Sequence, residues 1–241
     1  MRRLLDAAAR QDAVVTTLDL DRAGARRGQV RTLVRCGTWV PLLRGTFLVM
    51  PDRTGNRLLR SWARAATLTV PDAVAGFGTA VALHGLDVPA EPVPVQVLVP
   101  PPLRRRGRDH LEVHHDLLTP GDVVDLRGLP TTTVARTLVD EVPRRPRGDA
   151  LALLDAALAS GQVTQDDLAR ARALTAGRRG CRAVEDLWLL ADGRAESPSR
   201  AEPASTASTA VSRRTTCTCR CAATPGASSP VPTWSSGGDG G

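Results

Sequence analysis

The sequence lacks three common residue types and has few aromatic side chains. None of its 241 residues is Lys, Ile or Tyr, two are Phe and four are Trp, so all 32 basic residues are Arg. Ala, Val, Leu, Gly and Pro dominate the remainder, and this bias is typical of a GC-rich coding sequence. The choice of Arg over Lys therefore carries no functional argument. A chain of this length can still bury one large core or two small ones.

Long apolar segments are missing as well. No run approaches the ~20 apolar residues that a transmembrane helix needs. The N-terminus begins with two arginines, but Asp6 and Asp12 interrupt it before the apolar core of a signal peptide could form. We therefore expect a cytoplasmic protein without a membrane span, in which Cys36 and Cys181 remain reduced.

Charge is distributed unevenly along the chain. Residues 1–60 contain twelve Arg against five acidic residues, whereas residues 61–241 contain twenty of each. The whole formal net charge of +7 therefore belongs to the first quarter of the sequence. This asymmetry favours an anionic partner for that quarter, with nucleic acid as the leading candidate, although a solvated basic surface would give the same count.

The first quarter also has the pattern of a winged helix-turn-helix domain. An Ala- and Leu-rich helix over residues 2–10 precedes a short helix, which is capped by Thr16 or Thr17 and closed by Gly24. A helix of about eleven residues then ends near Gly37, and two short strands flank a turn at residues 44–45. Three helices followed by a β-hairpin predict a winged helix over residues 1–52, whose third helix enters the major groove of DNA.

The third helix of this pattern has one apolar side and one polar side. If Val30 faces the core, the helical period of 3.6 residues places Leu33 and Val34 beside it. The polar side, its margins and the turn of the wing form the predicted DNA-binding set: Arg26, Arg27, Gly28, Gln29, Arg31, Thr32, Arg35 and Arg44.

Different members of this set are expected to do different things. Arg31, Thr32 and Arg35 are predicted to read base edges in the major groove, and Arg26, Arg27 and Arg44 to hold phosphates. Gly28 is small enough for the helix backbone to approach a phosphate closely. Trp39 is interpreted as a structural residue that fills the core under the wing. Winged helices also dock onto proteins, and that alternative stays open.

Residues 57–195 predict a second domain of mixed α/β type, so that the fold class of the whole chain is α+β. The segment before Pro71 is helical, and Thr79 is predicted to cap a short helix that ends at Gly85. The alternating segments VPVQVLVP and LEVHH are predicted to pair as strands across a basic loop.

Helices predominate in the rest of this domain. A Thr cap begins an amphipathic helix that is predicted to expose Arg136 and Asp140, which form a structural ion pair at spacing i,i+4. Three further helices are predicted in DALALLDAALASG, in TQDDLARARALT with its Thr-x-x-Asp cap, and in CRAVEDLWLLADG.

Three separated blocks of this sequence carry a family resemblance. GQVRTLVRCGTWVPLLRGTFLV, TAVALHGL and GLPTTTVARTLVD, in this order and spacing, resemble the actinobacterial AbiEi-like antitoxin and transcriptional-regulator family. The resemblance covers residues 1 to about 195. It implies a winged-helix DNA-binding domain followed by an α/β domain. It also implies a role as a type IV toxin–antitoxin antitoxin, which silences a partner toxin gene by binding its own promoter.

The resemblance ends before the tail of the chain. Many actinobacterial relatives continue into a domain like the very-short-patch-repair endonucleases, but residues 200–241 contain no Leu and only two acidic residues, Glu202 and Asp239. A metal-dependent nuclease needs clustered carboxylates to hold its divalent ion. We therefore predict no catalytic activity and interpret residues 196–241 as a disordered, low-complexity tail, which a frameshift in the nuclease region would produce. A surviving endonuclease activity is the enzymatic alternative.

Several clusters look chemical but have simpler interpretations. Cys217, Cys219 and Cys221 lack the spacing and the fourth ligand of a zinc site. His114 and His115 point to opposite faces of a strand, and His84 is expected to pack or to bond to backbone. No metal site is predicted. A second basic run in the loop after the first strand is expected to be solvated or to add phosphate contacts: Arg104, Arg105, Arg106 and Arg108.

The sequence thus predicts a DNA-binding transcriptional regulator of the AbiEi-like antitoxin type. Its predicted partner is double-stranded DNA of its own promoter, with a cognate toxin as a possible protein partner. Neither a cofactor nor a small-molecule substrate is expected. The alternatives are an endonuclease-like protein and a module that docks directly onto a toxin.

Overall fold

A computed structural model describes residues 2–49, 54–86, 94–101, 107 and 110–191. This part of the chain is mixed α and β, with a three-stranded sheet near the N-terminus and a five-stranded sheet behind it. The predicted basic loop at residues 104–106 and 108 and the predicted tail at 196–241 lie outside the described residues.

The N-terminal elements follow the predicted order, with one additional strand between the first two helices. They are α1 (Arg2–Arg10), β1 (Val14–Thr16), α2 (Thr17–Arg22), α3 (Arg27–Arg35), β2 (Val40–Pro41) and β3 (Thr46–Leu48). The sheet has the order β1-β3-β2, and both pairings are antiparallel. Strand β1 has only three residues, which is too short for an alternation of apolar and polar residues to reveal it in the sequence.

The caps and turns of this region have clear local causes. The side chain of Thr16 accepts a hydrogen bond from the Asp19 amide, and the Asp19 carboxylate accepts one from the Thr16 amide, which makes a capping box at the start of α2. Gly45 adopts a φ of +79° in the turn between β2 and β3, a conformation that favours glycine. Val40 is 37% exposed, because β2 is a two-residue edge strand.

The rest of the described chain combines helices with a five-stranded sheet. Its regular elements are α4 (Gly55–Thr69), β4 (Val74–Ala75), α5 (Phe77–Leu83), β5 (Val95–Val99), β6 (Leu111–His115), β7 (Val123–Asp125), β8 (Pro130–Thr132), α6 (Val134–Glu141), α7 (Arg147–Ala159), α8 (Gln165–Leu174) and α9 (Leu187–Leu190). Short 3-10 turns occupy Pro120–Asp122, Val142–Arg144 and Cys181–Ala183.

The larger sheet has the strand order β6-β5-β4-β8-β7. The two segments predicted to pair do so, and they run parallel, with Val95 opposite Leu111 and Val99 opposite His115. Strand β4 pairs antiparallel with β5 on one side and parallel with β8 on the other. The sheet is therefore mixed in direction, which the alternating pattern of single strands does not reveal.

Three local predictions in this region are wrong. Thr79 is not a helix cap, because α5 begins two residues earlier with Gly76 as its N-cap. The segment from Cys181 forms a 3-10 turn and the four-residue helix α9 instead of one continuous helix. Arg136 and Asp140 are buried, at 8% and 3% exposure, rather than exposed, since α6 packs against α5, α7 and α8.

Helices α5 to α9 enclose the largest apolar cluster, which includes Leu138, Leu153, Leu154, Leu168 and Trp188. A smaller cluster joins the N-terminal sheet to α4 through Val14, Leu48 and Ala65. The N-terminal sheet thereby has a fixed packing partner. No helix in the described part of the chain is long and apolar enough to cross a membrane.

Candidate nucleic-acid interface

Helix α3 presents one apolar side and one exposed side. Val30, Leu33 and Val34 are half-buried and pack against a core that contains Trp39 and Leu20. The predicted DNA-contact residues at the start of α3 and along it are all exposed: Arg26, Arg27, Gly28, Gln29, Arg31, Thr32 and Arg35. All seven residues are therefore open to solvent, and the packing of the apolar triad fixes which side of α3 is buried.

Two polar side chains of this surface also serve the helix itself. The Gln29 carboxamide oxygen accepts a hydrogen bond of 3.0 Å from the Arg26 amide, which satisfies one free donor at the start of α3. The Thr32 hydroxyl donates to the Gly28 carbonyl at 3.1 Å. Gln29 therefore retains its amide NH₂ as a donor for a ligand, and Thr32 retains its hydroxyl lone pairs as acceptors.

Gly28 lies in the first turn of α3, where the helix surface is open. A Cβ atom built on Gly28 would meet no heavy atom within 4 Å. Nothing in the fold requires a glycine at this position, because its φ lies outside the left-handed region. Because Gly28 has no side chain, a ligand in solvent can come close to the backbone of α3 at this position.

The turn between β2 and β3 carries Arg44, which is exposed to solvent. The Thr46 hydroxyl donates to the Leu43 carbonyl at 3.1 Å and accepts from the Leu43 amide at 3.0 Å, which closes the turn. The Thr17 amide donates to the Gly45 carbonyl at 2.8 Å, so the turn is tied to the start of α2. Arg44 is therefore held on a short hairpin turn that is anchored to α2.

Trp39 lies just before the β2–β3 hairpin and packs against it. Its side chain is buried, and its ring centroid is 6.3 Å from that of Phe47 on β3. Its amide donates to the Leu33 carbonyl at 3.2 Å, which connects the end of α3 to β2. Trp39 is thus placed to hold α3 against the hairpin and is not exposed for stacking on a base.

The arginines of this surface are electrostatically uncompensated within the described residues. None of Arg26, Arg27, Arg31, Arg35 and Arg44 forms an ion pair with another described side chain. Like charges on one exposed face repel one another, and an anionic ligand removes that repulsion. The surface is suited to bind a polyanion.

A second polar cluster, which sequence reasoning identified only in part, surrounds Arg136 in α6. Its guanidinium lies 2.9 Å from Asp140 and 2.5 Å from Asp116, and it also faces Asp122 at 3.7 Å. Arg178 pairs with Asp140 at 2.8 Å and with Asp116 at 3.2 Å. Two arginines and three carboxylates from distant parts of the chain therefore form one network.

Burial and ion pairing have opposite effects on the pKa values of Asp116 and Asp140 in this network. Burial alone would raise the pKa of Asp116, but the Leu117 amide and the charges of Arg136 and Arg178 outweigh burial and lower that pKa. Burial raises the pKa of Asp140, and the two arginines oppose this effect. The pairing holds the end of β6 and the loop before α9 to the centre of α6.

Sequence reasoning also missed Asp12, which joins the N-terminal sheet to α4. Its carboxylate lies 3.1 Å from both Arg60 and Arg64, and its carbonyl accepts a hydrogen bond of 2.6 Å from Ser61. Asp12 adopts a φ of +51°, in the left-handed region. No helical or strand period marks this residue, so only the left-handed tolerance of Asp could have drawn attention to it.

Three of the described histidines make contacts with backbone or with aromatic rings. His84 Nε2 lies 2.7 Å from the Thr132 carbonyl, His110 packs against Trp62, and His114 packs against Phe77. Within the described ranges there is no group of three His, Cys, Asp or Glu side chains that could hold a metal ion. Cys217, Cys219 and Cys221, for which no zinc site is predicted, lie outside these ranges.

Comparison with known proteins gives one family and a few relatives. Residues 74–189 match the family described as the AbiEi antitoxin C-terminal domain. Two uncharacterized proteins of Mycobacterium tuberculosis, MT2308 of strain CDC 1551 and Rv2248 of strain H37Rv, are each 38% identical to this chain over 130 residues. These residues make up 54% of this chain and 46% of each relative, so the match spans about half the length of these proteins.

One solved structure is also similar. The crystal structure of the RV2827C protein from Mycobacterium tuberculosis aligns with 78% of this chain and 80% of its own, at 21% sequence identity and a TM-score of 0.45.

Proposed function

We propose that this chain, whose residues 74–189 match the AbiEi antitoxin C-terminal domain, is a DNA-binding regulator that contacts duplex DNA through a winged helix within residues 1–52. The single observation that carries the proposal is the open face of α3, on which the arginines lack ion-pair partners among the described residues. Its predicted target is the DNA of its own promoter, and its place of action is the cytoplasm.

The order of the N-terminal elements supports the winged-helix assignment. Helices α1 to α3, followed by the β2–β3 hairpin, match the arrangement in which a third helix enters the major groove and a hairpin lies alongside. Strand β1 adds a third strand to the sheet and leaves the exposed face of α3 uncovered. Among the described residues, nothing therefore covers the face that we propose to read the groove.

Within this surface, Arg31, Thr32 and Arg35 contact base edges in the proposed complex. A guanidinium suits the two acceptors of guanine, and a Thr hydroxyl contacts either base pair. Arg26, Arg27 and Arg44 bind phosphates on either side, where they fix register and orientation. The open backbone at Gly28 lets the first turn of α3 approach a phosphate, which a helix N-terminus favours electrostatically.

The test is the binding of the full chain to duplex DNA from upstream of its own gene, followed by fluorescence anisotropy across a salt series. We expect affinity to fall steeply with salt, since each neutralised phosphate contributes a slope of about −0.9 in log K against log salt. Arg31→Ala and Arg35→Ala should each weaken binding by about 1–3 kcal/mol if they contact bases. Arg182→Ala, which removes an exposed arginine from the other end of the described chain, is the matched control.

Binding that ignores salt and both arginine substitutions would overturn the proposal. Such a result would favour the docking alternative, in which the same face binds a toxin. Metal-dependent cleavage of the DNA during the same experiment would contradict the absence of catalytic activity that we propose.

A further inference from the structure

A cavity of about 660 Å³ opens beside the ion-pair network, away from α3. It lies between the end of β6, helix α6, the 3-10 turn Val142–Arg144 and the loop that follows α8. Its polar walls come from His114, His115, Asp116, Arg144, Arg178 and Arg179. Its apolar walls come from Phe77, Val139 and Pro143. The cavity thus combines a charged side with an apolar side, as binding sites for small organic ligands do.

The charged side has a surplus of arginine. Arg178 is held by Asp116 and Asp140, which are the two carboxylates in the lining. Arg144 and Arg179 line the same cavity without an ion-pair partner among the described residues. Because both carboxylates are already bound to arginine, the positive charge of Arg144 and Arg179 is available to a ligand.

A tight loop contact holds these arginines around one opening. Gly180 adopts a φ of +88°, and a Cβ atom built on it would lie 2.2 Å from the Pro143 carbonyl oxygen. Only glycine allows this approach, which places Arg178 and Arg179 directly beside the turn that carries Arg144. The convergence of the arginines is therefore a product of the backbone and not of flexible side chains alone.

The backbone of Phe77, which also lines the cavity, has an unusual conformation. It has a φ of +51°, a conformation that is rare for a bulky side chain, and strained residues of this kind cluster at functional sites. The ring centroid of Phe77 is 4.0 Å from that of His114, and the Arg144 guanidinium lies 4.8 Å from the same ring. The Phe77 ring thereby contacts both His114 and Arg144, two other residues of the cavity lining.

We propose that this cavity binds a small phosphorylated ligand with an apolar body, such as a nucleoside phosphate. Arg144 and Arg179, assisted by Arg178, receive the phosphate, because the guanidinium fork matches phosphate oxygens. Pro143 supplies the half-exposed apolar surface for the organic body, and the buried side chains of Phe77 and Val139 back this part of the cavity. The volume lies within the range of about 300–1,000 Å³ that is usual for such sites.

His114 also lines the cavity, but its imidazole adds no positive charge there at neutral pH. Burial lowers its pKa; Glu112 opposes this effect and Arg144 reinforces it. Its Nε2 is buried and lies 3.4 Å from Glu112 Oε1, without hydrogen-bond geometry. The positive charge available to a phosphate group therefore does not depend on protonation of His114.

Isothermal titration calorimetry on the full chain tests the proposal, with inorganic phosphate, pyrophosphate, AMP and ATP as probes. We expect a nucleotide to bind more tightly than inorganic phosphate, because only the nucleotide uses the apolar wall. Arg144→Ala and Arg179→Ala should each weaken nucleotide binding about tenfold, the loss expected for one charge-assisted hydrogen bond. Both side chains are exposed, so neither substitution opens a cavity in the core.

Two controls separate this site from other sources of binding. Arg182→Ala removes a neighbouring exposed arginine that does not line the cavity and should leave nucleotide binding unchanged. Arg31→Ala tests DNA reading by α3 and should also leave it unchanged, so the two proposals fail independently.

Three results would overturn the proposal. One is the absence of binding by every probe at millimolar concentration, and another is an equal loss in Arg182→Ala, which would indicate non-specific attraction. The third is that Arg144→Ala and Arg179→Ala weaken binding of duplex DNA and not of nucleotide, which would make the cavity wall part of the DNA interface.

Discussion

Arg136 and Asp140 form an ion pair on one side of α6, with 2.9 Å between Nε and Oδ2, and the Asp140 side chain is completely buried. Removing one partner of a buried pair leaves the other charge without compensation, which costs far more than the pair contributes as a whole. Asp140 retains a second partner in Arg178, at 2.8 Å, so this cost is reduced but not abolished.

Arg136→Met should therefore destabilise the protein by about 3 kcal/mol, at the lower end of the range for broken buried pairs. Urea denaturation measures this loss, and the double variant Arg136→Met/Asp140→Leu should recover part of it. Arg170→Met, which breaks an exposed pair with Asp167, should cost less than about 1 kcal/mol. Equal losses in Arg136→Met and Arg170→Met would mean that the network is not structural.

Only part of the ion-pair network around Arg136 could be predicted from the sequence. The spacing of Arg136 and Asp140 predicts their pairing, but their burial depends on helices that pack from elsewhere. Asp116 and Arg178, which complete the network, are 62 residues apart and have no local pattern in common. Contacts of this kind depend on the tertiary fold, which periodicity does not encode.

The N-terminal region was more predictable, because its determinants are local. The apolar triad Val30, Leu33 and Val34 defines the buried side of α3 by period alone, and the glycine turn at residue 45 defines the hairpin. The wrong prediction of a cap at Thr79 has the opposite cause. Thr79 instead accepts a hydrogen bond of 2.8 Å from the Gln96 amide on β5, a tertiary contact.

The capping box of α8 gives a prediction about pH. The Asp167 carboxylate accepts hydrogen bonds from the Thr164 hydroxyl and amide, at 2.7 and 2.8 Å, and from Arg170. These contacts lower the pKa of Asp167 to about 2 from the ordinary 3.8. Since the folded pKa is depressed, the stabilisation is present above about pH 4 and is lost as pH falls toward about 2.

Asp167→Asn should remove this dependence. Unfolding free energies measured by denaturant titration between pH 5 and pH 2 should converge for the two proteins at the acid end, with the native protein more stable only at the upper end. Asp166→Asn is the matched control, because Asp166 makes none of the described capping bonds. A constant difference between native protein and Asp167→Asn across this range would contradict the assignment.

The ion pairs of Asp12 with Arg60 and Arg64 are expected to help hold the N-terminal sheet against α4. Asp12→Asn keeps a residue that tolerates a left-handed φ but removes the charge that faces Arg60 and Arg64. Both arginines also donate to carbonyls of residues 126–128, so they keep some of their partners. We expect a loss of about 2 kcal/mol.

Hydrogen exchange locates the effect of this substitution. Amides of the segment around β1 should exchange faster in Asp12→Asn than in the native protein, because their anchor to α4 is weakened. Asp6→Asn, at an exposed position of α1 with no described ion pair, should change neither stability nor exchange there. Unchanged protection in both variants would show that apolar packing alone holds the sheet in place.

Gly28 allows the proposed DNA interface to be tested separately from the stability of the fold. Ala forms helices better than Gly, and a Cβ atom at this position meets nothing within the protein, so Gly28→Ala should raise the unfolding free energy by up to about 1 kcal/mol. The same methyl group would lie between the α3 backbone and a phosphate, and it should weaken DNA binding. Stability and affinity are thus predicted to change in opposite directions.

Thermal unfolding and anisotropy on the same sample measure the two changes. Gly148→Ala is the matched control, because Gly148 also lies in the first turn of a helix, α7, with open space around its Cα. It should gain stability without losing DNA affinity. Equal affinity for DNA in Gly28→Ala and Gly148→Ala would show that the first turn of α3 does not approach the DNA backbone. The arginines of α3 would then have to reach the DNA from a greater distance, and the salt dependence would be their main signature.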